Sequence, residues 1–119
     1  MKLYTDINQS NKLAEILPIE SADCFWDYDE MQKFHRISWF EDGYNKESQL
    51  MLNENNVCAW SLAALLYVLD FPSLTQNKED EWEVCVPNHK YDGYIEVSAD
   101  NPIDACYEMI IKLHELKML

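Results

Sequence analysis

Trp82-Glu83-Val84-Cys85-Val86, a polar stretch from Asn88 to Gly93, Tyr94-Ile95-Glu96-Val97-Ser98-Ala99 and then Asn101-Pro102-Ile103-Asp104 run in close succession. In the first apolar stretch Trp82, Val84 and Val86 share one side of an extended chain, and in the second Ile95, Val97 and Ala99 do. The two stretches therefore predict an antiparallel hairpin over 82–99, with a loop longer than two residues. Asn101 suits a helix N-cap, Pro102 the first helical position, and Asp104 places negative charge beside the exposed amides. The helix so started runs over 102–116. Its stripe of Ile103, Cys106, Ile110 and Leu113, with Met109 and Leu116 alongside, faces the sheet, and Glu108, Lys112 and Glu115 face water. A hairpin followed directly by a helix with one apolar face is the signature of an α+β fold.

Working towards the N-terminus, Ala59-Trp60-Ser61-Leu62-Ala63-Ala64-Leu65-Leu66-Tyr67-Val68-Leu69 is apolar nearly all round. Such a run predicts a helix near 59–70 that is buried on most sides and ends before Pro72. Residues 73–80 read as a polar connection. Phe34-His35-Arg36-Ile37-Ser38-Trp39 alternates as a half-buried strand does, after an acidic turn at Asp27. Residues 41–56 read as a long loop broken by a short strand around Gln49 to Leu52. Thr5 to Leu17 fits a short amphipathic helix, capped by Thr5 or Ser10 and ended by Pro18, with a further helical turn after it. No repeat or linker divides residues 1–119. The expected fold is one α+β domain in which an antiparallel sheet of about three strands, including the 82–99 hairpin, packs against the helices near 59–70 and 102–116.

Composition narrows the function classes. Of 119 residues 48% are hydrophobic, with four Trp, seven Tyr and four Phe, enough to build a core without disulfide or metal. The net charge of −13, from 22 acidic and 9 basic side chains, repels a phosphate backbone, and the basic residues form no stripe. Direct nucleic-acid binding is therefore not expected. The longest apolar stretch, Leu62 to Leu69, is far short of the roughly 20 residues a membrane span needs. Met1-Lys2-Leu3-Tyr4-Thr5-Asp6 turns polar too soon for a signal peptide, so a cytoplasmic protein without a membrane role is expected. Cys24, Cys58, Cys85 and Cys106 form no C-x-x-C pair and read as free, mostly buried thiols. Only Gly43 and Gly93 occur, which excludes glycine-rich phosphate loops and dinucleotide fingerprints; no cofactor is expected.

The chemistry-bearing residues are weighed against plainer roles. Cys85 with His89, or Cys106 with His114, has poor metal-ligand spacing, since a structural zinc site draws on two close ligand pairs. A thiol–imidazole nucleophile could be drawn from Cys58 with His35 or His89, or from Cys85 with a histidine, and no nucleophile elbow accompanies it. Ser61 sits just before an apolar helix, where serine caps more often than it attacks. The acids fall into three runs, Asp27, Asp29 and Glu30, then Glu41 and Asp42, then Glu79, Asp80, Glu81 and Glu83. As cation ligands they lack the mid-loop glycine of a calcium loop. Interleaved with Trp26, Tyr28, Trp39, Phe40, Tyr44 and Trp82, they suggest instead a face for a basic protein, because aromatics are enriched where proteins meet.

Asn11-Lys12-Leu13-Ala14-Glu15-Ile16-Leu17-Pro18 with Ser21-Ala22-Asp23, Cys58 to Leu66, and Asn101 to Ile110 together resemble a family of small uncharacterised proteins encoded by phages, prophages and mobile elements of gut bacteria. The resemblance spans most of the chain, brings no catalytic residue, and implies a cytoplasmic protein of mobile-element origin. Residues 27–54 and the acidic 79–83 run depart from it. The leading expectation is a non-enzymatic acidic interaction protein with a host or mobile-element protein as partner. Trp26, Asp27, Tyr28, Asp29, Glu30, Trp39, Glu41, Asp42, Glu79, Asp80 and Glu81 are its candidate contacts. The alternatives are a small Cys/His enzyme and a structural homo-oligomer that buries surplus apolar surface between subunits.

Overall fold

The computed structural model describes residues 1–119 and shows an α+β fold with two three-stranded antiparallel sheets. Its contacts cluster into two compact units, one of Tyr4–Ala64 and one of Met1–Leu3 with Leu65–Leu119.

The N-terminal unit begins with helix α1 (Ile7–Ala14), capped by Asp6 in a capping box with Gln9. Neither Thr5 nor Ser10 is the cap. Both are fully buried, Thr5 Oγ1 and Ser10 Oγ lie 2.8 Å apart, and Thr5 exchanges hydrogen bonds with the backbone of Trp60, giving its N–H to the carbonyl at 3.0 Å and accepting at Oγ1 from the N–H at 3.1 Å. A single 3₁₀ turn, Ile19–Ser21, follows Pro18. Strand β1 (Cys24–Asp29) takes in Asp27, where an acidic turn was expected, and the turn itself falls at 30–33, because long-range partners extend the strand: β2 (Phe34–Trp39) on one side and β3 (Val57–Ala59) on the other. Residues 49–52 are not a strand. Asn45 caps a short helix α2 (Lys46–Leu50) by accepting from Ser48 N at 3.0 Å, and that local cap organises the loop.

The apolar run at 59–69 divides between two elements. Val57–Ala59 is strand, Trp60 is fully buried ahead of the helix, and α3 covers only Leu62–Val68. Ser61 donates from its N–H and its hydroxyl to the Asp23 carboxylate and accepts at Oγ from Ala64 N at 3.3 Å, so it caps α3. A helix of two turns has room for one buried stripe, and Tyr67 stands 92% exposed despite its apolar neighbours.

In the C-terminal unit the 82–99 hairpin forms as β5 (Trp82–Pro87) and β6 (Tyr94–Ala99), with Val84 opposite Val97 and Val86 opposite Ile95. The polar segment after Pro72 adds a third strand, β4 (Ser73–Gln76), on the far edge of β5. An edge strand needs only backbone partners and tolerates polar side chains. Helix α4 (Pro102–Glu115) packs on β5 and β6 through Ile103, Cys106, Met109, Ile110 and Leu113, all buried, while Leu116 at the C-cap is 44% exposed. No helix is long and apolar enough to cross a membrane.

Candidate interaction face

Strand geometry sorts the candidate residues before any tertiary contact does. Successive side chains in β1 alternate, so Cys24, Trp26 and Tyr28 point to one side and Phe25, Asp27 and Asp29 to the other. Register extends the sorting to β2: Trp39, Ile37 and His35 join the first side, and Ser38, Arg36 and Phe34 the second. Aromatics and acids that alternate along residues 26–29 therefore stand on opposite faces of the hairpin.

On the aromatic side, Trp26 donates from Nε1 to the Thr5 carbonyl at 3.0 Å and meets Tyr4 edge-on at 5.7 Å. Tyr28 meets the His35 ring at 4.9 Å with the planes tilted by 54°, and Tyr28 N donates to the Asn56 side chain at 2.8 Å. These rings are tied into the unit. Trp39 differs, being 56% exposed at the end of β2.

On the acidic side, Asp29 organises the turn to β2. Its carboxylate accepts from Met31 N at 2.9 Å and Gln32 N at 3.0 Å, and from Arg36 Nη2 at 2.6 Å. The Gln32 amide first, with Met31 and Arg36, holds this carboxyl below its ordinary value. Asp27 accepts from Ser38 Oγ at 3.3 Å and Glu30 from Asn53 Nδ2 at 2.9 Å. Most of the first acidic run is thus engaged in holding the hairpin.

The second run is arranged differently. Glu41 and Asp42 are exposed, form no ion pair, and lie between exposed Trp39 and Tyr44, the latter 68% exposed. Gly43, at φ 84°, makes the bend that brings Tyr44 after them. The nearby cation is occupied elsewhere: Lys46 Nζ donates to the Glu20 carbonyl at 2.9 Å and to the Ala22 carbonyl, and lies 5.5 Å from the Phe40 ring centre. What results is an exposed corner of the chain, residues 39–44, in which two aromatics flank in sequence two carboxylates that form no ion pair.

Glu79, Asp80 and Glu81 belong to the other unit, in the connection between β4 and β5. Asn77 Oδ1 accepts from Glu79 N and Glu81 N, each at 3.0 Å, and Asp80 takes φ 60°. Asn77 thereby fixes the backbone and sends the Glu79 and Asp80 carboxylates outward.

Cys58 is buried, and desolvation raises its thiol while Lys46 opposes the shift. His35 Nε2 is engaged by the Asn55 carbonyl at 2.9 Å and His89 Nε2 by Asp70 at 2.6 Å. No group of three or more His, Cys, Asp or Glu side chains is placed to hold a metal ion.

Sequence reasoning passed over the exposed aromatics of the C-terminal unit, Tyr67, Phe71, Tyr91 and Tyr94. For Tyr94 the signal was present, because Ile95 and Val97 inward leave Tyr94 and Glu96 outward. For Phe71 it was not: its φ of 47° follows from the turn into Pro72 and β4, which depends on pairing. Comparison with family models, curated proteins and solved structures finds no match.

Proposed function

We propose that the chain is a small non-enzymatic interaction protein of phage or mobile-element origin. It acts in the cytoplasm and binds a basic segment of a host or mobile-element protein. The observation that carries the binding reading is the corner of Trp39, Glu41, Asp42 and Tyr44, where two aromatic side chains are left in water beside two unpaired carboxylates. Large exposed rings next to uncompensated charge suit a partner that offers both an apolar stem and a cation, as Lys and Arg do. The origin rests on the resemblance of the three sequence stretches.

The test is capture from bacterial lysate by immobilised protein at low and moderate salt, beside a Trp39→Ala variant and an E41Q/D42N variant. Proteins retained by the wild type should be lost with either variant and reduced by salt. Nothing retained above background at either salt, or retention indifferent to both variants, overturns the reading.

A further inference from the structure

The β4–β5–β6 sheet has one side covered by α4 and one side open. Register assigns the open side in rows: Ser73, Cys85 and Glu96 form one, Thr75, Glu83 and Ser98 the next, and Pro87 stands beside Tyr94. Tyr94 is 70% exposed, and Ser73, Thr75, Glu96 and Ser98 are exposed too. No Lys or Arg lies on this side, and neither Glu83 nor Glu96 has an ion pair. Like charges set diagonally on neighbouring strands, about 7–8 Å apart, repel each other with no cation to relieve them.

We propose that this open sheet face docks a basic amphipathic helix of a partner protein. Two Lys or Arg side chains one turn apart lie over Glu83 and Glu96, and an aliphatic residue rests on Tyr94 and Pro87. Three physical points support it. A sheet with one bare face is completed by a helix laid across it, as α4 completes the other side. Residues four apart on a helix stand about 5–6 Å from each other at Cβ, and the long stems of Lys or Arg splay to reach two glutamates about 7–8 Å apart. Both carboxylates bear on the centre of the face, where Cys85 pairs with Glu96 in register, and its thiol is raised first by desolvation and then by Glu96 and Glu83, against a Ser73 hydrogen bond that lowers it. This surface lies in the C-terminal unit and does not depend on the Trp39 corner.

Cys85 is the one cysteine that is not buried, so it reports on the face directly. The probe is a labelled helical peptide of Leu, Ala and Lys with lysines four apart on one side, followed by anisotropy and by maleimide labelling of Cys85. The E83Q/E96Q variant should bind about tenfold more weakly, as expected for losing close charge pairs. Tyr94→Ala should also weaken binding, E41Q/D42N should leave it unchanged, and saturating peptide should slow Cys85 labelling severalfold. A peptide with Glu in place of Lys should do neither. The proposal is overturned if the lysine peptide fails to bind at low salt, or if Cys85 labels at the same rate when the peptide is saturating. It is equally overturned if E83Q/E96Q binds like the wild type, or if both double variants weaken binding alike, which would mark a diffuse attraction to net charge.

Discussion

Two tryptophans show how position decides what a side chain contributes. Trp60 has no exposed surface, donates from Nε1 to Ser21 Oγ at 3.0 Å, and is joined through its backbone to Thr5. Trp60→Ala should cost about 3–5 kcal/mol, by loss of transfer energy and creation of a cavity, and take from Ser21 Oγ its indole donor. Trp39→Ala removes a ring already more than half in water and should change stability by no more than about 0.5 kcal/mol. Urea unfolding of the two variants checks the contrast. In sequence both are Trp beside polar residues, and only the pairing of β1 with β2 and β3 separates the structural one from the available one. Cys106 carries a second residue-scale prediction. Burial pushes its thiol from 9.0 up to about 11, so the folded chain keeps it neutral while the unfolded chain ionises it. Its contribution is fully present below about pH 9 and is lost as pH rises from about 9 through 11. Against a Cys106→Val variant, the wild type should lose Tm more steeply across that window. Parallel curves would refute a buried neutral thiol.

At the scale of elements, the parts legible in sequence are those whose information is local. Helix α4 is marked by Asn101, whose side chain accepts from Asp104 N at 2.9 Å, and by Pro102 behind it. Asn101→Ala should therefore cost about 1 kcal/mol. The other end of α4 lies where it was expected, at Glu115 with Leu116 as the cap, but the way it closes was not legible. Lys117 N donates to the His114 carbonyl at 3.0 Å and Met118 N to the Leu113 carbonyl at 2.8 Å, with Lys117 at φ 59°. That is a Schellman ending with lysine where glycine fits best. Lys117→Gly should stabilise the chain by about 0.5–1 kcal/mol, since relief of left-handed strain exceeds the entropy glycine costs. Thermal unfolding of the two variants should shift in opposite directions. The β5–β6 hairpin was readable for the same local reason as the start of α4, its alternation being unambiguous. Strands β1, β3 and β4 were not, because Val57–Ala59 and Ser73–Gln76 are strands only by virtue of partners far away in sequence. The candidate acids shared that fate: their exposure was readable, but which of them the turns consume depended on Arg36, Asn53 and Ser38.

At the scale of the whole molecule, the charge is spread rather than concentrated. The N-terminal unit holds eleven acids against four bases and the C-terminal unit eleven against five, so their charges of −7 and −6 make up the total of −13. Some of these acids are relieved by ion pairs, among them Lys2–Asp104, Lys12–Glu15 and Arg36–Asp29, yet the acids outnumber all the bases by more than two to one. Self-repulsion of this kind acts against the compact state and is screened over about 10 Å at 0.1 M salt. Raising salt from low to moderate should therefore raise Tm, at about 4 °C for each kcal/mol gained in a chain of this size. The same screening weakens attraction to a basic partner. Folding and binding should respond to salt with opposite signs, a combination that neither an apolar docking face nor a neutral fold produces. Unfolding scans and lysate capture across one salt series test both at once. A Tm that falls with salt would mean that local ion pairs outweigh the general repulsion, and capture that persists as Tm rises would mean that the partner is held by apolar contact rather than by charge.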